Sequence, residues 1–125
     1  MLFNGKLIGF IPTRDAEQAR SFYERVLGMR FVSDDQFALV MNANGIMIRI
    51  VQVGEFTPAR FTILGWEVSA IETLVPQMSV TGVTFEQYGL PGQDTTGIWN
   101  APGGTKVAWF KDPDGNVLSL SQHPA

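Results

Sequence analysis

The chain has 125 residues, a formal net charge of −3 and no cysteine. Such a length makes one compact unit, or two small half-domains sharing surface. Without cysteine there are no disulfides and no thiolate catalysis, and the absence suits a cytoplasmic protein. The acidic balance, with no basic cluster, argues against nucleic acid as a partner. No apolar run approaches the roughly 20 residues that span a bilayer, so no membrane partner is expected, and Met1–Lys6 lacks the order of a signal peptide.

Lys6 to Pro12 reads as a first strand. Asp15 then opens a helix, with Gln18 completing a capping-box-like pair. Ala19, Phe22, Tyr23, Val26 and Leu27 follow as one apolar stripe at helical spacing, and Gly28 ends it. Met29–Ser33 and Gln36–Met41 are the next strands, and the turn Asn42-Ala-Asn-Gly45 leads into a fourth, Ile46–Val53. Residues 54–60, with a proline at 58, are the most linker-like stretch.

The order then repeats. Phe61–Val68 is a strand, Ser69 with Glu72 forms a capping box, and Ile71, Leu74, Val75 and Met78 make a helical stripe. Pro76 should kink or shorten this helix. Val83–Gln87 is the next strand, followed by a Gly-, Pro-, Asp- and Thr-rich loop from Tyr88 to Gly104 that carries Trp99. The chain closes on a hairpin, Lys106 to Leu120, around the turn Asp112-Pro-Asp-Gly115. Alternation puts Ala108, Phe110, Leu118 and Leu120 on its core face and Val107, Trp109, Val117 and Ser119 on the other.

Gly28-Met-Arg-Phe31 matches Gly82-Val-Thr-Phe85, and Gly45-Ile-Met-Ile-Arg49 matches Gly115-Asn-Val-Leu-Ser119. The fold class is therefore α+β: two β-α-β-β-β repeats, 6–53 and 61–121 with a linker at 54–60, in a single 1–125 domain. Their strands are expected to form a curved, partly open barrel-like sheet with the helices outside. A small ligand would lie in the concave cleft.

Arg14-Asp15 followed by Phe22-Tyr23 and Leu27-Gly28, together with the terminal Phe110-Lys-Asp-Pro-Asp-Gly-Asn116, resembles the vicinal oxygen chelate superfamily of glyoxalase I, bleomycin-resistance proteins and extradiol dioxygenases. The resemblance runs over about residues 6 to 121. Metal-dependent members carry His or Glu at four cleft positions, which fall here on Ile8, Arg49, Ile63 and Ser119. Two isoleucines and a guanidinium are not metal donors, so neither metal nor other cofactor is expected.

Among the polar residues, Arg49 would point into the cleft beside Met47, either paired with Glu67 or holding an anionic group of a ligand. Trp66 shares parity with Leu64 and Val68 and belongs to the core, whereas Trp109 faces the cleft as a stacking platform or as filler. Trp99 and Tyr88 lie on the long loop, which either covers the cleft or caps the sheet edge. Ser119 lacks a His/Asp partner, and His123, the only histidine, belongs to the tail.

These residues suggest a metal-free binding protein that holds a small, partly aromatic or cationic molecule, as drug- or metabolite-sequestering members of the family do. The alternative is a glyoxalase- or dioxygenase-like enzyme (lyase, isomerase or oxygenase) with a non-standard site, one that lies elsewhere or uses Glu67 as a base. Unpaired sheet edges, and the habit of the family, suggest a homodimer.

Overall fold

Thr13 and Asp15 turn the first strand into the first helix. In the structure, a computed structural model that describes residues 1–125, the Asp15 amide donates to Thr13 Oγ1 at 3.1 Å. The Asp15 carboxylate accepts from the Gln18 amide at 3.2 Å, capping the helix as expected. The chain forms two compact units, Met1–Thr57 and Pro58–Ala125, which divide inside the linker-like stretch.

The first unit runs β1 (Ile8–Thr13), α1 (Ala16–Arg20), β2 (Arg30–Asp34), β3 (Leu39–Ala43) and β4 (Ile46–Gln52). Beyond Arg20 the helix widens into a π-helical stretch, Ser21–Val26. There the Leu27 amide reaches the Phe22 carbonyl five residues back, at 3.0 Å. The wider turn rotates the expected stripe. Ala19 and Tyr23 are fully buried, while Phe22, Val26 and Leu27 are only half-buried.

β3 begins at Leu39, later than expected, because Asp35 folds the preceding residues into a turn. Its Oδ1 accepts from the Phe37 and Ala38 amides at 3.0 and 2.9 Å. The sheet order is β1-β4-β3-β2, with β1 parallel to β4 and the other pairs antiparallel. Register puts Ile11, Ile48, Ile50, Leu39 and Met41 on the helix face, all buried. Removing each such side chain from water contributes about 1.5–3 kcal/mol before conformational entropy is counted. Ile8, Phe10, Met47, Arg49 and Val51 share the opposite face.

The second unit runs β5 (Thr62–Glu67), α2 (Ile71–Val80), β6 (Trp99–Asn100), β7 (Lys106–Lys111) and β8 (Val117–Gln122), in the equivalent order β5-β8-β7-β6. Its helix start differs from expectation. The cap position is Ala70, not Ser69, and no side chain of that residue bonds to the helix. Instead Gln122, from the last strand, accepts the Ile71 amide at 2.8 Å. Glu72, the other half of the expected box, binds Lys106. The helix also continues past Pro76 to Val80 rather than stopping short.

The expected strand at Val83–Gln87 shrinks to a single bridge, Phe85 opposite Phe110. The Glu86 amide still donates to the Trp109 carbonyl at 2.8 Å, but the Tyr88 amide turns away to Gln93 Oε1 at 2.9 Å, which ends the ladder. The outer edge of β7 is completed by β6, where Trp99 pairs with Val107.

Leu64, Trp66, Ala108, Phe110, Leu118 and Leu120 share the α2 side. Trp66 stacks on Phe110 with centroids 6.3 Å apart, as its parity implied, and Phe85 meets Phe110 edge-on at 5.6 Å. The β7–β8 turn is held by the Asp112 carboxylate. It accepts from the Asp114 and Asn116 amides, both at 2.9 Å, and from Asn116 Nδ2 at 2.8 Å. The architecture is α+β, built from two β-α-β-β-β repeats. No helix is long and apolar enough to cross a membrane.

Candidate functional site

Strand alternation gives the second unit an open face on the side away from α2. Along β7 it carries Val107, Trp109 and Lys111, and along β8 their partners Ser121, Ser119 and Val117. Trp109 is the centre of an aromatic group. Tyr88 meets it edge-on at 5.3 Å, and Trp99 lies tilted by 30° at 5.9 Å. Three of the expected site residues, scattered over a strand and a loop, thus come together.

The loop that brings them is tightly tied. Gln93 Nε2 donates to the Glu86 and Gly97 carbonyls at 2.9 and 3.1 Å. Asp94 accepts from the Thr96 and Ile98 amides at 2.9 and 3.0 Å. Partial desolvation pushes the Asp94 carboxyl up, but these bonds and the Thr96 hydroxyl together hold it below the usual carboxylate range. Gly97, at φ +103, lies so close to Phe85 that an added Cβ would come within 2.8 Å of it. The Trp99 indole N–H donates to the Pro91 carbonyl at 2.9 Å. With that donor engaged, Trp99 offers its ring rather than its N–H.

Ser119 lies beside Trp109 across the ladder and opposite Gly65 on β5. A Cβ at position 65 would meet Ser119 Oγ at 3.0 Å, so glycine keeps this part of the face low. Glu67 is two residues further along β5, paired with Ser121. It borders a depression shared with Ser69, Gln122 and His123. His123, expected as a tail residue, is exposed and shares a hydrogen bond with Ser121 Oγ at 3.0 Å. Burial, then the nearby Glu86 carboxylate, push the Tyr88 phenol up, against the opposing pull of Lys111.

Arg49 and Met47 occupy the equivalent face of the first unit, with the expected parity. Within its own unit Arg49 binds an acid that strand parity did not point to, Asp35. Its Nη2 lies 2.8 Å from Asp35 Oδ2. That bond, more than the Ala38 amide, holds the Asp35 carboxyl below its ordinary range. Asp35 escapes a parity argument because it lies in a turn, outside any strand. The available signal was its position just ahead of β3, the strand that pairs with Arg49.

Ile8, Arg49, Ile63 and Ser119, the residues expected where metal-dependent relatives carry ligands, offer two hydrocarbon side chains, a guanidinium and a hydroxyl. No group of three or more His, Cys, Asp or Glu side chains is placed to hold an ion. This donor set does not fit a divalent metal.

The two units share one β-α-β-β-β order, each with its first and last strands parallel. The sequence model of the Glyoxalase/Bleomycin resistance protein/Dioxygenase superfamily matches residues 7–120, and the chain belongs to that superfamily. No curated protein sequence matches it. Among solved structures it is similar to TnmS3, an antibiotic binding protein from Streptomyces sp. CB03234, at 24% identity and TM-score 0.71, over 99% of each chain. A lactoylglutathione lyase from Agrobacterium tumefaciens is similar at 13% identity and TM-score 0.73, over 93% of this chain and 91% of that one. An integron cassette protein from the mobile metagenome of V. cholerae is similar at 22% identity and TM-score 0.69, over 99% and 98%.

Proposed function

We propose that the chain is a metal-free binding protein that sequesters a small planar aromatic molecule on the open face of its second unit. The observation that carries this reading is the Tyr88–Trp109–Trp99 group. Three large rings on a face away from the helical core favour a flat π-system by stacking and apolar burial. The likeness to an antibiotic binding protein supports the binding of a small molecule. The donor set at the four metal positions supports a metal-free mode.

Calorimetric titration with a neutral planar probe, 2-naphthamide, tests the reading. Binding should be saturable, and Trp109→Leu should weaken it about fivefold, since one aromatic contact contributes roughly 1 kcal/mol beyond buried area. Unchanged affinity in Trp109→Leu would overturn it. Metal analysis returning stoichiometric zinc, iron or manganese would overturn the metal-free part.

The reading extends to a single 1–125 domain working in the cytoplasm as a homodimer. Exposed apolar side chains such as Phe10 and Phe61, 63% and 70% accessible, support a covering partner. Sedimentation at micromolar concentration should give twice the 13.8 kDa chain mass.

A further inference from the structure

At the turn end of the same open face lies a depression lined by Pro58, Arg60, Tyr88, Lys111, Gly115 and Val117. Its floor is apolar and fixed. Val117 pairs with Lys111 across the ladder, and a Cβ on Gly115 would touch Pro58 Cγ at 3.4 Å. One wall is Tyr88, the ring that meets Trp109 edge-on. The charged residues of the lining are two cations, with no carboxylate among them. Glu86 lies 3.5 Å from the Lys111 ammonium and offsets part of its charge, which leaves Arg60 in excess. The acids of the adjoining turn do not line the depression, and the Asp112 oxygens already accept from Asp114 and Asn116.

We propose that this depression takes an anionic substituent, a carboxylate, sulfonate or phosphate, of the aromatic ligand stacked on Trp109. The inference rests on the aromatic reading above and adds the charge class of the ligand. A guanidinium matches two oxygens of such a group at once, and an ammonium beside it adds a point charge. The Tyr88 phenol, kept protonated by burial and by Glu86, has an O–H to donate to the same anion. The open face thereby acquires direction: the ring lies over Trp109 and the charge lies toward the β7–β8 turn.

Two probes of one shape separate the ideas, 2-naphthoate and its neutral amide, 2-naphthamide, titrated calorimetrically at low salt. The wild-type protein should prefer the carboxylate by about threefold to tenfold, the range of a partly exposed ion pair with good geometry. The preference should shrink toward equality in Arg60→Gln, in Lys111→Met and at high salt. Equal affinities in the wild type, or a preference that survives both substitutions, would overturn the anion site while the aromatic reading stands. Binding of neither probe would overturn both. Circular dichroism of the two variants, matching the wild type, keeps loss of fold from imitating the result.

Discussion

The two repeats share one strand order yet present different open faces. In the first unit that face carries Ile8, Phe10 and Met47 around an ion pair, Arg49–Asp35. In the second it carries an aromatic group between Glu67 and Lys111. The helix faces diverge less: both are apolar, aliphatic in the first unit and with Trp66 and Phe110 added in the second, and each includes a fully buried ring, Tyr23 or Phe110. Burial on that side sets strand parity, because a one-residue slip would exchange every inward side chain for an outward one. The other side has no such duty, so duplication leaves it free to carry an aromatic group in one copy and a salt bridge in the other.

The helix starts sharpen the contrast. The first helix is capped from three residues away and the second from 51 residues away.

The largest effect should come from the second core. Phe110→Ala removes a fully buried ring that contacts both Trp66 and Phe85, and should cost about 3–5 kcal/mol in denaturant unfolding. Next come the caps. Asp15→Ala and Gln122→Ala should each cost about 1 kcal/mol, although only the first removes a neighbour of its helix. Ser69→Ala should leave the melting temperature within error, since that side chain does not cap α2. A clear loss there would restore the local cap and remove the contrast.

The smallest effect concerns Asp35. Its carboxyl pKa is lowered in the folded protein, so its stabilisation is present above the unfolded value of about 4 and disappears as pH falls through the lower folded value. Asp35→Asn should therefore be less stable than the wild type at neutral pH, and the two should converge in acid. Asp94, also lowered, keeps a residual acid slope in the variant. A stability difference independent of pH would show that Arg49 does not act through the Asp35 charge.

Most strands and both helices were legible because apolar spacing reports burial, and burial decides parity. Arg49, Trp66 and Trp109 all fall on the side that alternation assigns them. What escaped depends on contacts between residues far apart in sequence or on turns. Gln122 caps a helix it does not adjoin, and Asp35 reaches Arg49 from a loop. The Val83–Gln87 run has strand composition, but Gln93 takes the Tyr88 amide that would have continued the ladder. The clustering of Tyr88, Trp99 and Trp109 agrees with their expected common face. The division of the expected residues between two units, with the aromatics gathered in one, was not legible.

The remote cap also sets an order of events as the chain is made. When Ile71 emerges during synthesis its amide has no acceptor until Gln122 follows, and β5 likewise waits for its parallel partner β8. The first helix, by contrast, has its capping carboxylate three residues away and needs no late residue for its start. Closing the second unit needs contacts of long sequence separation, which are slow to form. Until then the nascent chain exposes Trp66 and the apolar strand around it, so the C-terminal strand is the step that ends this exposure.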